Sequence, residues 1–468
     1  MSAAPKGVST GEELDGFAIG ELLHSSPLAR LFRVEATAAR GGIEFPILMK
    51  IPKTRAGEGG EGLLGFETEV RILGALSGRH VPRFVSAGEI DASPYLAMEE
   101  IEGRTLGAVA GGSAILPGEV ARLGAAIADA LHDLHGQGTI HLDLKPENVI
   151  VRPSGEVALV DFGMAHHVRF PDLLSEEQRF AAGSAPYISP DQVMGNRADP
   201  RSDIFSLGAI LYELATGKLP YGTPRTLAGL ADRRCLVPPP PRALQSGIPP
   251  WLQEVILRCL ETSAEERYQS AAHVAFDLRH PDQVKLTERA QKLERAGAFA
   301  HVRRWWAARR SHLAPPSAPG RPMSVPVVMI AVDTMHQHDA RHPALLHATA
   351  NLLSLSREFR LICVSVVHGE PVGGAEDRPS IQFEHLVRLR HWVAPLRVPE
   401  SQLSLHVIEA LDPAGTLLEF ARNNNVDLIV IGAPSPTHQA LAWWRSVASS
   451  VTANARCSVH VVRLHEPQ

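Results

Sequence analysis

The sequence is poor in cysteine, in long apolar runs and in charge of one sign. Its four cysteines are widely spaced and form no CxxC pair, so neither a disulfide framework nor a zinc knuckle is indicated. No apolar run approaches the roughly 20 residues that span a bilayer, and the chain begins without an apolar signal core. A net charge of −5 supplies no bulk attraction for nucleic acid or an anionic membrane. These absences predict a cytoplasmic protein without a transmembrane segment.

The sequence does contain enough apolar residues for several cores. The chain has 468 residues, of which 44% are hydrophobic, and this length is about three times that of a usual domain. Composition and patterning predict four segments, namely an N-terminal tail over 1–13, a first folded unit over 14–280, a basic and proline-rich linker over 281–322, and a second folded unit over 323–468.

The first folded unit divides into two lobes. Between 14 and 102, short β-like runs surround one helical stretch, which predicts a small sheet that carries a helix. Between 103 and 280, apolar residues recur at spacings of three and four and predict a mainly helical lobe. Within that lobe, Val149–Val151 and Val157–Val160 flank a Pro-Ser-Gly turn and predict a hairpin.

In the second folded unit, fully apolar runs alternate with helical stretches. Val327–Asp333 and Leu361–Val367 flank one helical stretch, and Leu428–Gly432 and Val459–Arg463 flank another. Strands that are apolar throughout are typical of parallel sheets covered by helices on both faces. The pattern predicts an α/β doubly wound domain.

The residues suited to catalysis lie on both sides of the predicted hairpin. Asp143, Lys145 and Asn148 precede it, and Asp161 follows it. Phosphoryl transfer from ATP requires a carboxylate at the acceptor hydroxyl, a cation near the transferred group and oxygen ligands for Mg²⁺. Asp143 can accept the hydroxyl proton, and Lys145 can neutralise developing charge. Asn148 and Asp161 can hold the metal.

This region resembles the catalytic loop and the DFG motif of serine/threonine protein kinases. The matching residues are Ile140-His141-Leu142-Asp143-Leu144-Lys145-Pro146-Glu147-Asn148 and Asp161-Phe162-Gly163. The resemblance covers about residues 14–280 and implies a bilobal α+β protein kinase fold. Other landmarks of the family follow in the same order, which accidental matches would not produce.

The resemblance implies a role for residues in both lobes. Lys50 looks like the lysine of the third strand, and Glu69 stands where a helical glutamate would pair with it. The implied catalytic residues are Asp143 and Lys145, and the implied metal ligands are Asn148 and Asp161. The implied ATP-binding residues are Leu23, Leu31, Lys50, Glu69, Met98, Glu99 and Ile101. The implied structural supports are His141, Phe162, Gly163, Asp191, Asp203 and Arg267, with Asp203 bracing the catalytic loop and Arg267 pairing with Asp191.

Three positions depart from the family pattern. The stretch that should cover the phosphates, His24–Ala29, contains no glycine, and a Cβ obstructs close backbone contact with phosphate. Leu142 replaces the arginine that usually precedes the catalytic aspartate, so a phosphate on the activation segment, for example on Ser175, lacks its usual clamp. Asp191 replaces a glutamate and can still reach an arginine.

Two functions are compatible with this pattern. The complete phosphoryl-transfer set favours a kinase that uses ATP and Mg²⁺, with Mn²⁺ as a substitute, to phosphorylate Ser or Thr of protein substrates. The glycine-free loop favours the alternative, a pseudokinase scaffold that signals through nucleotide binding or dimerisation.

The second unit resembles a universal stress protein domain over about residues 324–464. The resemblance rests on the strand-like runs that end at Asp333 and Gly432. It implies a second nucleotide site at Asp333, Gly432 and Ser446, but Ser435 and Arg445 stand where glycines belong. The alternative is a domain that binds no ATP and forms a homodimer. A kinase joined to such a stress-related regulatory domain is an architecture typical of bacteria.

Two other clusters have a structural and a functional interpretation. The basic segment 285–310, with Trp305-Trp306, can lie on anionic lipid, or it can pack its apolar face on the first unit, which is the favoured interpretation. Four histidines follow the strand-like run that ends at Asp333, namely His336, His338, His342 and His347. Their spacing and the lack of cysteine favour solvated side chains over a metal site.

Overall fold

The computed structural model of the chain describes residues 9–53, 61–88, 93–177, 184–224, 229–230, 236–294, 326–335, 341–354, 359–367, 381–433 and 447–463. Some residues singled out in the sequence lie outside these ranges, namely Trp305, Trp306, His336, His338, Ser435, Arg445 and Ser446.

The first lobe is a six-stranded antiparallel sheet with one helix. Its strands lie in the order β1-β2-β3-β4-β6-β5. The strands are β1 (Glu13–Leu14), β2 (Phe17–Ser25), β3 (Ala29–Ala36), β4 (Ile47–Pro52), β5 (Phe84–Ala87) and β6 (Leu96–Glu99), and the helix is α1 (Glu61–Ala75). Alternate residues of the strands, such as Phe32 and Val34, are buried in one cluster, as the two-residue period of a strand requires.

The second lobe is mainly helical. Its described helices are α2 (Leu106–Ala110), α3 (Pro117–Gly136), α4 (Leu173–Glu177), α5 (Pro190–Val193), α6 (Arg201–Thr216), α7 (Pro241–Leu244), α8 (Pro250–Cys259), α9 (Ala271–Arg279) and α10 (Glu288–Gln291). Its short strands are β7 (Arg104–Thr105), β8 (Thr139–Ile140), β9 (Val149–Val151), β10 (Val157–Leu159) and β11 (His166–His167). Helices α3, α6, α8 and α9 share one large apolar core, and β9 with β10 forms the predicted hairpin.

The C-terminal domain is a five-stranded parallel sheet covered by helices on both faces. The strand order is β14-β13-β12-β15-β16. The strands are β12 (Val327–Ala331), β13 (Arg360–Val367), β14 (Leu403–Glu409), β15 (Leu428–Gly432) and β16 (Ser458–Val462), and the helices are α11 (Arg341–Ser354), α12 (Ile381–Val393), α13 (Pro413–Asn423) and α14 (Val447–Asn454). Two separate apolar clusters line the two faces of the sheet. The predicted doubly wound α/β domain is confirmed.

The helices of the described ranges are all too short or too polar to cross a lipid bilayer.

A buried polar cluster lies near the carboxyl ends of β12 and β13. Thr334 Oγ1 is 2.6 Å from Ser365 Oγ and 2.6 Å from His385 Nδ1. His385 is 3% exposed. Burial, together with nearby Arg388, lowers the pKa of His385 to about 4, although Asp333 acts in the opposite direction. The imidazole is therefore neutral at pH 7.

We expect His385 to make the protein sensitive to acid. In the unfolded chain a histidine has a pKa of about 6.5, so the unfolded state binds the proton more readily and stability is lost as the pH falls from about 6.5 towards 4. Between pH 7 and pH 5, the urea midpoint of the full-length chain should fall further in the wild type than in His385→Gln, which cannot titrate. Equal falls in the two proteins would contradict this expectation.

Candidate active site

A buried ion pair joins the sheet of the first lobe to its helix. Lys50 on β4 places Nζ 2.6 Å from Glu69 Oε2 on α1 and 3.0 Å from Asp161 Oδ1. The Glu69 side chain is 1% exposed. Burial alone would lower the pKa of Lys50, but the two carboxylates outweigh it and the pKa lies above its ordinary value. The ammonium group therefore stays charged.

The spacing of apolar residues on α1 explains why Glu69 points to Lys50. Phe66 and Leu73 are buried in the large core. Glu69 lies three residues after Phe66 and four residues before Leu73, so all three side chains occupy one face of the helix. The sequence therefore orients the glutamate towards the sheet.

The catalytic loop gathers polar groups around Asp143. Its Oδ2 accepts hydrogen bonds from Lys145 Nζ at 2.9 Å and from Asn148 Nδ2 at 3.2 Å. Its Oδ1 accepts one from the backbone N–H of Ser184 at 2.6 Å. Asp143 is 8% exposed, so its charge depends on these donors more than on water.

Asp203 of α6 holds the backbone of this loop by hydrogen bonds. Its two carboxylate oxygens accept the backbone N–H groups of His141 and Leu142, both at 2.9 Å, and Oδ2 lies 2.8 Å from His135 Nε2. Burial alone would raise the pKa of Asp203, but His135 and the other partners outweigh it and the pKa is lowered. Leu142 adopts a left-handed conformation with φ of 61°, which this pair of hydrogen bonds helps to fix.

The DFG motif lies beside the same loop. The Phe162 ring is 1% exposed and its centroid is 5.3 Å from that of His141. Asp161 has a left-handed φ of 67°. Burial would raise the pKa of Asp161, but Lys50 outweighs it and the pKa is lowered. Gly163, the third residue of the motif, lies close to the backbone of Gly65 on α1.

Arg267 forms a second buried ion pair, with Asp191. The guanidinium nitrogen Nη2 is 2.6 Å from Asp191 Oδ2, and the Arg267 side chain is fully buried. The same guanidinium donates to the carbonyl oxygens of Glu261 at 2.7 Å, Thr262 at 3.0 Å and Arg201 at 3.1 Å. The aspartate at this position reaches the arginine in spite of its shorter side chain.

The residues expected at the adenine lie in the sheet of the first lobe or just after its strand β6. Leu31 on β3 is directly opposite Lys50 on β4, and Met98 on β6 is opposite Leu48. Glu99 ends β6 and Ile101 follows it, while Leu23 lies on β2, which pairs with β3. The structure thus places four of the five predicted positions on β2, β3 and β6, and the fifth, Ile101, two residues after the end of β6.

The turn that should cover the phosphates is closed by a serine side chain. It connects β2 to β3, and Ser26 Oγ accepts the backbone N–H of Leu28 at 3.2 Å and that of Ala29 at 3.0 Å. The Ser26 N–H itself donates to the Ala29 carbonyl at 2.9 Å. Three backbone donors of this turn are therefore engaged within the turn. The sequence revealed the missing glycines but not this replacement.

The second predicted nucleotide site is described only in part. Asp333 follows β12 and Gly432 ends β15, and these strands are adjacent because Ala331 pairs with Ile431. Their carboxyl ends form the point where the strand order reverses, which is where ligands bind in open α/β sheets. Ser446 lies outside the described residues.

Comparisons with known proteins agree with this geometry. Residues 48–277 match the protein kinase domain family. The serine/threonine-protein kinase PknL of Mycobacterium tuberculosis is 30% identical over 268 residues, which are 55% of this chain and 67% of PknL. The chain belongs to the protein kinase family. Residues 326–463 match the universal stress protein family, so the kinase carries such a domain at its C-terminal side.

Other relatives are longer than the region they share with this kinase. A probable serine/threonine-protein kinase of Clostridium perfringens is 33% identical over 235 residues, which are 50% of this chain and 34% of that protein. The chain thus spans about a third of this relative's length. The solved kinase domain of Mycobacterium tuberculosis PknI, a point mutant, aligns with 59% of this chain and 99% of its own at 20% identity and a TM-score of 0.45. The predicted kinase fold and C-terminal domain are confirmed.

We expect Asp203→Asn to destabilise the kinase. Asparagine offers one acceptor oxygen, so the backbone N–H of either His141 or Leu142 loses its partner inside the protein. The change should cost about 2–4 kcal/mol and lower the urea midpoint. The matched control is Asp129→Asn, which removes an exposed ion pair with Arg279 and should cost at most about 1 kcal/mol. Equal losses in the two variants would contradict the bracing role of Asp203.

Proposed function

We propose that this kinase transfers the γ-phosphoryl group of ATP to Ser or Thr hydroxyls of protein substrates. The observation that carries the proposal is the convergence of Lys50 and Asp161 on the buried Glu69 in one charge cluster, beside the loop that holds Asp143. Positioning and charge neutralisation are what phosphoryl transfer requires of a protein.

Asp143 has the geometry of the proton acceptor. A carboxylate offers about four acceptor positions, and three of those on Asp143 are used by Lys145, Asn148 and Ser184. The remaining one can receive the substrate hydroxyl. As the hydroxyl oxygen bonds to the γ-phosphorus, the bond from phosphorus to the bridging oxygen of ADP breaks and the hydroxyl proton passes to Asp143. Lys145 then stabilises the charge on the transferred group.

Asn148 and Asp161 fit a divalent metal. The amide nitrogen of Asn148 donates to the carbonyl and carboxylate oxygens of Asp143, which leaves the Asn148 oxygen as an acceptor. One oxygen of Asp161 contacts Lys50 and the side chain is 45% exposed, so the other oxygen is accessible. Oxygen ligands suit Mg²⁺, and Mn²⁺ accepts the same set. The bound metal would neutralise phosphate charge.

We assign the adenine and phosphate contacts to the positions expected from the family. Lys50, kept charged by Glu69, would bind the α- and β-phosphates. Leu23, Leu31 and Met98, together with the backbone of Glu99 and Ile101, would enclose adenine. The pseudokinase alternative rests on the glycine-free loop. The contacts of Lys50 with Glu69 and Asp161, and those of Asp143 with Lys145 and Asn148, favour the active kinase.

The C-terminal domain is assigned a regulatory role. Asp333 and Gly432 lie at neighbouring strand ends, which is compatible with a nucleotide ligand. The substituted glycines at Ser435 and Arg445 favour a domain that binds no ATP and forms a homodimer. The cytoplasmic location stays a prediction. In the basic segment, Arg289 forms ion pairs with Glu254 and Glu261 of the first unit. The apolar side chains expected to pack there, Trp305 and Trp306 among them, lie outside the described residues.

Replacement of the proposed base should abolish activity. In Asp143→Asn the side chain keeps its size but cannot accept the proton, so autophosphorylation of the full-length chain should fall by about 100-fold or more. Incorporation of ³²P from labelled ATP with Mg²⁺ measures this. Asp129→Asn, on the exposed surface of α3, is the control and should retain activity. Activity at the wild-type level in Asp143→Asn would show that the base is another residue.

Release of the engaged backbone donors should tighten nucleotide binding. Ser26→Gly frees the N–H groups of Leu28 and Ala29 for phosphate, so the Kd for ATP with Mg²⁺ should fall about threefold or more. Calorimetric titration of the full-length chain, corrected for binding that survives in Lys50→Met, measures the kinase site. The neighbouring substitution Ser25→Gly is the control.

The same titration tests the metal. Chelation of the divalent ion should weaken ATP binding at the kinase site, because Asn148 and Asp161 act on phosphate through the metal.

The prediction for the phosphate turn has its own contradicting outcome. If Ser26→Gly binds ATP no tighter than Ser25→Gly, the closed turn is not what limits the affinity for ATP.

A further inference from the structure

One face of α1 lies against the C-terminal domain. Leu63, Glu67 and Arg71 are spaced four residues apart and therefore share a face of the helix. Leu63 joins the apolar cluster of the C-terminal domain. Arg71 Nη1 donates to the Leu403 carbonyl oxygen at 3.4 Å, and Arg390 Nη2 donates to Glu67 Oε1 at 3.2 Å. The helix that carries Glu69 is thus also a contact surface between domains.

A second contact is made by Glu176 at the end of α4. Its carboxylate is 5% exposed, and Oε2 lies 2.6 Å from His406 Nε2. Oε1 accepts from Ser404 Oγ at 3.4 Å and forms an ion pair with Arg360. Asn424 Nδ2 donates to the Glu176 carbonyl oxygen at 3.2 Å. All four partners belong to the C-terminal domain, on β13, β14 and the end of α13.

Helix α4 belongs to the activation segment, and it packs on α1 and on the residue with which that segment begins after the DFG motif. Leu173 and Leu174 form an apolar cluster with Leu64 of α1, joined by Met164, which directly follows the DFG motif. At the other end of α4, Asp172 Oδ2 is 2.8 Å from Arg197 Nε. The helix is therefore anchored to the second lobe at its beginning and to the C-terminal domain at its end.

The ion pair of Glu176 takes the place of the contact that usually orders an activation segment. A phosphate on the segment is commonly held by an arginine beside the catalytic base, and Leu142 supplies no such cation. Here the anion is Glu176, a genetically encoded side chain, and the cation is Arg360 of another domain. The contact requires no modification of the segment.

We propose that Glu176 is a positioning residue through which the C-terminal domain holds α4 and α1 where Glu69 pairs with Lys50. This inference rests on the proposed kinase function, because it explains how that site stays assembled. When the Glu176 contact is lost, α4 loses its second anchor, and only Leu63, Glu67 and Arg71 still hold α1 against the C-terminal domain. The pair between Glu69 and Lys50 then forms less of the time, and turnover falls.

The decisive substitution is Glu176→Gln in the full-length chain. It keeps the size of the side chain and removes its charge, so Arg360 loses its ion pair and keeps only the electrostatic attraction of Asp172. We expect kcat for phosphorylation of a generic acceptor to fall at least tenfold. Two controls should stay within about threefold of the wild type, namely Ser175→Ala, the exposed neighbour on α4, and Glu409→Gln, exposed on β14. Arg360→Gln, which breaks the contact from the other domain, should reproduce the loss.

Hydrogen exchange separates positioning from a general loss of stability. Exchange of the amides of α1 should accelerate at least threefold in Glu176→Gln and in Arg360→Gln, while that of α6 in the core of the second lobe stays unchanged. Equal acceleration in α1 and α6 would indicate unfolding and overturn the proposal. Unchanged α1 exchange, or activity that stays at or rises above the wild-type level, would overturn it as well.

The two proposals fail in different ways. If the wild-type chain has no phosphotransfer activity while Asp143→Asn is equally inactive, the proposed function is wrong. The exchange of α1 in Glu176→Gln then still decides whether the C-terminal domain positions this helix.

Discussion

The buried contact between Lys50 and Glu69 is the constraint on which the arrangement of the molecule depends. An unpaired carboxylate at the depth of Glu69 would cost several kcal/mol, so α1 must lie where Glu69 reaches the lysine. At about 100° per residue, the face with Leu63, Glu67 and Arg71 then points roughly 130° away from the face with Glu69. That second face meets the C-terminal domain. One helix thus connects the ion pair of the kinase to a surface of another domain.

The catalytic loop is fixed independently of the residue at position 142. Asp203 accepts the two backbone N–H groups of the loop, and these bonds use the main chain and not the side chain of Leu142. Leu142 is 1% exposed and adds apolar burial without charge. Asp143 therefore keeps its contacts with Lys145 and Asn148 although the usual arginine is missing. What the substitution removes is a binding partner for phosphate, not the geometry of the site.

Most of the site could be predicted because its chemistry dictates residue types at short spacings. Asp143, Lys145 and Asn148 lie within six residues, and the alternation of apolar strands and helices encodes the C-terminal sheet. The role of Ser26 could not be predicted, because a hydroxyl engages whichever donors the turn conformation brings to it. The absent glycines suggested weak phosphate contact, and the hydrogen bonds to Leu28 and Ala29 supply a physical reason.

The contact between the domains left only a partial signal in the sequence. Strand β14 is apolar except for Ser404, His406 and its last residue, and buried polar side chains require partners. The pattern demands a partner but does not identify Glu176, which is 230 residues away from His406. Glu176 lies on the helix that packs against the helix of Glu69, so the proposed positioning role makes docking of the C-terminal domain and assembly of the ion pair linked equilibria. A ligand or partner that favours the docked domain then also favours the paired lysine, and pairing strengthens the binding of that ligand by the same factor.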